Sequence, residues 1–195
     1  MGFLQPEKVL AHLSLESPMT VADMGAGGGN FLPFIVSAIS PAGAVYLFDL
    51  EQDLLHLAKS KLKNGSANQS QVEIICTDLT KPKSTKVKDN FFDRILVANL
   101  LFNFEPAERE VFFTEMFRIL KPGGRMLVLD WAGSFGGLGP REDHLCQPAD
   151  LKELSAKVGL NFLRDVPSED YHFGFTVEKS RLTTGWHRNK MLNYV

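Results

Sequence analysis

A chain of 195 residues with 44% hydrophobic and 23% charged residues has the composition of an ordinary globular protein, long enough to bury one sizeable core, so one domain is expected. Its net charge of −2 gives no general reason to expect a nucleic-acid partner or a membrane surface. Cys76 and Cys146 form no C-x-x-C pair and lie away from histidines at ligand spacing, so no metal site or disulfide framework is indicated and both are expected as reduced thiols.

Residues 1–10 lack the basic start and apolar run of a secretory signal, and Pro6 stands where a myristoylation start carries Ser or Thr. No apolar run approaches the roughly 18 residues that span a bilayer, so a cytoplasmic protein is expected. In residues 6–13, Val9, Leu10 and Leu13 share one face behind Pro6, which predicts a short leading helix lying over the core. Ser17 and Pro18 break it, and residues 20–24 read as the first strand.

That strand runs into the most informative stretch of the chain. An apolar run ends in Asp23, passes through Gly25, Gly27 and Gly29, and becomes an apolar helix over residues 31–39, with Pro33 in its first turn. Glycines suit a loop whose backbone lies against a ligand, and the helix start offers unpaired N–H groups to polar ligand atoms. The dinucleotide fingerprint G-x-G-x-x-G fails because Asn30 takes its last position. The phosphate loop G-x-x-x-x-G-K-[ST] fails too, since no Lys or Arg occurs between Lys8 and Lys59. Over that span lie Glu16, Asp23, Asp49, Glu51 and Asp53, so the loop suits a ligand carrying positive charge.

Residues 44–48 are a continuous apolar run, as expected of a strand covered on both faces, and they end at Asp49. Asp49 lies about twenty residues beyond Gly29, where a carboxylate reaches the ribose hydroxyls of an adenosine; it is also placed to cap the amphipathic helix predicted over residues 52–62. Asn64, Gly65 and Ser66 stop that helix, and Val72–Cys76 is the third strand. Asp78 follows, open to either an Asp turn or a ligand contact. Lys81, Lys83, Lys86 and Lys88, with Lys59, Lys61 and Lys63 nearby, read as a solvated edge, because no interleaved aromatics support nucleic-acid stacking.

Residues 93–98 are the fourth strand, with Asn99 to Phe102 as its exit loop. Residues 106–120 are a helix stopped by Lys121, Pro122, Gly123 and Gly124, and residues 125–130 are the fifth strand. After Trp131 a Gly/Pro loop leads to a helix over residues 148–158, ended by Gly159. Residues 161–166 and 171–179 are strands whose short link allows only antiparallel pairing. The fold predicted is an α/β, Rossmann-like, seven-stranded and mostly parallel sheet with helices on both faces and an antiparallel C-terminal hairpin. Residues 1–179 are expected to form the single domain, and residues 180–195, with Arg181, His187, Arg188 and Lys190, a loosely held tail.

The series Asp23, Gly25, Gly27, Gly29 resembles the first motif of class I S-adenosylmethionine-dependent methyltransferases. The segment from Arg118 through Lys121, Pro122, Gly123 and Gly124 to Arg125, and the entry Phe91, Phe92, Asp93, are similar to the branch that includes the ubiquinone and menaquinone C-methyltransferases. So are Phe3 to Val9 ahead of the glycine loop, and Asp130 with Trp131 followed by His144. The resemblance implies a methyltransferase that binds S-adenosylmethionine, releases S-adenosylhomocysteine and methylates a small-molecule acceptor. It implies a cofactor site of Asp23, Gly25, Ala26, Gly27, Gly29, Asn30, Asp49, Leu50, Asp78, Leu79 and Asn99. Asp78 would accept from the adenine amino group and Leu79 would offer its backbone and side chain to the ring. Phe102, Trp131 and Tyr171 would line the acceptor pocket, with His144 as the candidate base, although an exposed loop histidine is the alternative there. Phe102 and Asn103 replace the histidine pair of many relatives, which argues against a quinone acceptor, and two lone thiols argue against arsenite. A catalytically silent cofactor-binding protein is the alternative function, and a nicotinamide oxidoreductase is disfavoured by Asn30.

Overall fold

The computed structural model describes residues 4–62, 71–168 and 171–181. Phe3, Lys63, the stop at Asn64 to Ser66, and residues 182–195 of the expected tail lie outside the described residues.

Strands β1 (Thr20–Met24), β2 (Ala44–Asp49), β3 (Val72–Cys76), β4 (Phe92–Ala98), β5 (Leu120–Trp131), β6 (Leu160–Val166) and β7 (His172–Lys179) form one sheet in the order β3-β2-β1-β4-β5-β7-β6. The first five are parallel, and β7 pairs antiparallel with both β5 and β6. This is the predicted mostly parallel sheet with an antiparallel closing hairpin.

Helices α1 (Pro6–Ala11), α2 (Leu32–Ile39) and α3 (Gln52–Ser60) cover one face, and α4 (Pro106–Ile119) and α5 (Pro148–Lys157) the other. Alternation along the strands divides the core accordingly. Val21, Leu47, Leu127 and Leu129 meet Leu32, Ile35, Ile39 and Leu55 on the first face. Ala22, Phe48, Ile95, Met126 and Val128 meet Phe112, Phe113, Met116 and Leu151 on the second. With both faces dry, the parallel strands need the unbroken apolar runs that the sequence carries.

Two local features differ from the sequence reading. The stretch from Lys121 to Gly124 belongs to β5, which starts at Leu120 opposite Phe92, with a register shift between Phe92 and Arg94. Gly123 at φ +78° carries the irregularity, and Lys121 Nζ holds both carboxylate oxygens of Asp93 at 2.8 Å. The exit of β4 closes into a 3-10 turn, Leu101–Asn103, ahead of α4. Helix α4 itself begins with a reciprocal cap between Glu105 and Glu108, which meets two of its otherwise unpaired N–H groups.

Candidate functional site

Parallel strands deliver their carboxyl ends, and the loops that follow them, to one edge of the sheet, with a crevice where the connections reverse between β1 and β4. Here the glycine loop leaves β1, with Gly25, Gly27 and Gly29 all at positive φ. The three do different work. A Cβ on Gly25 would stand 2.8 Å from Leu100 Cδ1, and one on Gly29 would stand 2.5 Å from Ala58 Cβ, so both let neighbouring elements approach closely. A Cβ on Gly27 would meet nothing within 4 Å, because that position faces open space.

An open cleft of about 660 Å³ lies along this edge. Gly25, Gly27, Asp49, Leu50, Asp78, Leu79 and Asn99 all line it. Asp49 is fixed from two sides: Gly27 N–H donates to Oδ2 at 2.7 Å and Glu51 N–H to Oδ1 at 3.0 Å. A carboxylate has about four acceptor positions, so two of these bonds leave Asp49 able to accept from a ligand's hydroxyls. Asp78 is held in an Asx turn by the Thr80 N–H at 2.9 Å and the Thr80 hydroxyl at 2.6 Å. Those bonds, helped by the nearby Lys81 ammonium, keep its carboxyl below the usual carboxylate range. Asp78 thus forms the expected turn, and its place on the cleft wall leaves it open to a ligand contact. Leu50 is 62% exposed, a large apolar side chain left open inside the cleft.

Beneath the loop, Asp23 is 2% exposed, and burial first, then the neighbouring charge of Asp49, push its carboxyl up to about 7. Its Oδ2 is buried without a hydrogen-bond partner among the described residues. The same is true of Oδ1 of Asn99, which leaves β4 at φ +53°, a conformation that Asn tolerates better than most residues. Orphaned buried acceptors are costly; of these two, Asn99 lines the cleft, while Asp23 lies on the strand that leads into the glycine loop and is not part of the cleft lining. Among the described residues, Asp49, Glu51, Asp78 and Glu108 line the cleft against one cation, Lys81, which gives it the electronegative character expected from the acids of the sequence.

The remaining expected site residues lie apart from the cleft walls. Ala26 donates its N–H to Phe48 O at 3.0 Å and packs into the core, Gly29 is buried against α3, and Asn30 is exposed. Phe102 is half-buried on the 3-10 turn after β4. Trp131 stacks on His172 with ring centres 4.5 Å apart, and Tyr171 meets Phe135 edge-on at 4.8 Å, at the carboxyl end of β5. His144 is exposed on a short turn, Glu142–His144, beside an ion pair between Arg141 and Asp143.

Asp130 was not among the expected site residues. It is 1% exposed, at the end of β5, and accepts from the N–H groups of Leu101 at 2.9 Å and Phe102 at 3.3 Å through Oδ2 and of Trp131 at 2.8 Å through Oδ1. Burial outweighs those bonds and the attraction of Arg109, and raises its carboxyl to about 6. The signal was present: Asp130 closes an apolar run just as Asp23 and Asp49 do.

A family model described as "Methyltransferase domain" matches residues 21–124, more than half of the chain. The chain belongs to the methyltransferase-domain family. It is similar to the ubiquinone/menaquinone biosynthesis C-methyltransferase UbiE of Bordetella avium, 30% identical over 125 residues that cover 64% of this chain and 46% of that protein. The enzyme of the same name from Yersinia pestis is 33% identical over 114 residues, 57% of this chain and 42% of that one. The chain therefore spans less than half the length of these curated relatives. Among solved structures, a SAM dependent methyltransferase from Aquifex aeolicus matches with a TM-score of 0.76 and 25% identity, over 89% of this chain and 88% of that one. The class I S-adenosylmethionine-dependent methyltransferase fold and family implied by the glycine motif are thus shown. Among the described residues, no helix is long and apolar enough to cross a membrane.

Proposed function

We propose that this methyltransferase-family chain binds S-adenosylmethionine in the cleft at the carboxyl edge of β1, β2, β3 and β4 and methylates a small-molecule acceptor. One observation carries the reading: Asn99 Oδ1, on the wall of an acidic cleft, and Asp23 Oδ2, on the strand leading into its glycine loop, are buried acceptors without a donor among the described residues, and that loop is tied to Asp49. The residues fit the cofactor's parts. Asp23 and Asn99 offer acceptors to its ammonium end, and the loop from Gly25 to Asn30 offers backbone and space. Asp49 takes the ribose hydroxyls, Leu50 and Leu79 the faces of the adenine, and Asp78 its amino group.

When bound, the cofactor supplies an electrophilic methyl carbon on a sulfonium. The chain's part is to hold an acceptor in line with that carbon and to keep water out. Asp130 serves this by gathering three N–H groups and so fixing the turn that carries Phe102 next to Trp131. Phe102, Trp131 and Tyr171 form the apolar side of the acceptor pocket. A base is required only for an acceptor that arrives protonated. His144 is assigned that part, and unchanged turnover in His144→Ala would remove it. The resemblance that sets Phe102 and Asn103 in place of a histidine pair argues against a quinone, so a quinone is not part of this reading. A cytoplasmic setting accompanies it, where Cys76 and Cys146, both free, stay reduced.

Calorimetric titration with S-adenosylhomocysteine tests the assignment. Micromolar binding, about −8 kcal/mol, that collapses in Asp49→Ala supports it. No binding by the wild-type chain overturns it.

A further inference from the structure

A second pocket, of about 230 Å³, opens on the α1-α2-α3 face of the sheet toward its amino edge. The loop after α1 closes it, and the ends of the parallel strands that carry the glycine loop and Asp49 point the other way. Its walls come from four separate elements: His12 and Ser14 behind α1, Arg125 on β5, Leu163 and Arg164 on β6, and Thr176 on β7. Strand register explains the gathering, since Arg164 pairs with Thr176, and Arg125 lies opposite both Glu178 on β7 and Arg94 on β4.

Two features of this pocket lack an internal explanation. Thr176 is 1% exposed, yet its Oγ1 is buried with no hydrogen-bond partner among the described residues. Charge is also unbalanced. Arg125 donates to Glu178 at 2.9 Å. Among the described residues Arg164 makes no ion pair, and Arg94, adjacent to Arg125, directs Nε to Leu13 O and Nη1 to Asp93 O, both at 2.8 Å, which are carbonyl oxygens carrying no full charge. Burial and the neighbouring Arg125 charge hold the Arg94 guanidinium below its ordinary value, against the opposing pull of Asp93, Glu16 and Glu178. Arg164 thus lines the pocket as a guanidinium with no carboxylate partner among the described residues, beside an unpaired buried hydroxyl, whereas acids line the cleft at the other edge. The pocket suits a ligand that is anionic and rich in acceptors.

We infer that this pocket binds a phosphate group, either as the free ion or as the phosphoryl end of a small molecule, at a site separate from the methyl-transfer cleft. Residues able to donate line the pocket from four elements, which suits the four divergent oxygens of a tetrahedral oxyanion better than the two coplanar oxygens of a carboxylate. Arg164 and Arg125 supply charge-assisted bonds and Thr176 the buried neutral donor. The inference does not depend on the methyltransferase reading, because it uses none of the cleft residues.

The test is titration of the full chain with inorganic phosphate and, separately, with glycerol 3-phosphate, at fixed ionic strength, using calorimetry and thermal shift. Saturable binding is expected, weakened about tenfold or more in Arg164→Gln and several-fold in Thr176→Val, and kept in Thr176→Ser, which restores the hydroxyl. Equal affinity for both probes identifies the free ion as the ligand; tighter binding of the ester identifies a phosphorylated small molecule. Lys86→Gln, in the basic loop across the sheet, serves as the control and binds as wild type. No saturation with either probe overturns the inference. So does wild-type affinity in both Arg164→Gln and Thr176→Val, or loss of binding in Lys86→Gln.

Discussion

The N–H of Gly27 donates to Oδ2 of Asp49 at 2.7 Å, so the open tip of the glycine loop and the end of the neighbouring strand are tied together by the protein's own hydrogen bond. With Glu51 N–H on the other oxygen, the carboxylate is oriented by the fold itself, and a ligand need not meet that ordering cost. Asp49→Ala is expected to weaken S-adenosylhomocysteine binding about thirtyfold or more, ~2 kcal/mol, because bonds to an ionised acceptor are stronger than neutral ones. Calorimetry on both proteins checks this, and an unchanged Kd would take the ribose contact away from Asp49.

Gly27 and Gly29 separate ligand binding from stability. At Gly29, φ is +75° and an added Cβ would collide with Ala58, including its backbone Cα at 2.9 Å, so α3 must move. Gly29→Ala should cost about 3 kcal/mol or more from left-handed strain plus overpacking, read as a shifted denaturant midpoint. Gly27→Ala meets open space at φ +50° and should cost only about 1 kcal/mol, while its methyl group enters the cleft and weakens cofactor binding. Equal stability losses in the two variants would contradict the structure.

The strands were legible because a sheet covered on both faces demands unbroken apolar runs, and their acidic ends, Asp23 and Asp49, pointed to the cleft. What the sequence did not reveal depends on contacts distant in the chain. Gly29 reads as part of a ligand cradle, but its glycine is required by Ala58 on the next helix. Lys121 to Gly124 read as a helix stop, yet the pairing of Leu120 and Arg125 on either side with β4, and the hold of Lys121 on Asp93, draw it into β5. Asp78 left two readings open because an Asx turn and a cleft wall need the same residue in the same place. The pocket at Thr176 had no signature at all, since α1, β5, β6 and β7 bring its residues together only after folding.

Asp130 links β5 to the turn after β4, and its removal should show in both stability and turnover. Asp130→Ala leaves the N–H groups of Leu101, Phe102 and Trp131 without their acceptor, at an expected cost of about 2–4 kcal/mol. Asp130→Asn, which keeps one acceptor oxygen, should cost less. In either variant S-adenosylhomocysteine binding should change less than in Asp49→Ala, while kcat falls once an acceptor is in hand, because the turn carrying Phe102 is loosened. A variant with wild-type melting and turnover would mean that Leu101 and Phe102 hold that turn without help.

Asp23 gives the protein a pH signature with opposite signs for folding and for binding. Its carboxyl stands at about 7 in the folded chain, raised from an ordinary 3.8 by burial and by Asp49. Between those values the folded state binds a proton that the unfolded state has lost, so this group's stabilising contribution is complete below about pH 4 and is lost as pH rises to about 7. The slope it adds is at most about 1.4 kcal/mol per pH unit. Asp23→Asn should remove that slope and leave the chain more stable than wild type at pH 8, as measured by denaturation at a series of pH values. Binding runs the other way. A ligand ammonium beside Asp23 favours the ionised carboxyl, so S-adenosylhomocysteine should bind the wild type about tenfold more tightly at pH 8 than at pH 6. Asp23→Asn should bind weakly with little change over that range. A flat wild-type affinity across pH 6 to 8 would place the ligand's ammonium away from Asp23, and leave its unpaired Oδ2 to be explained by something other than the cofactor.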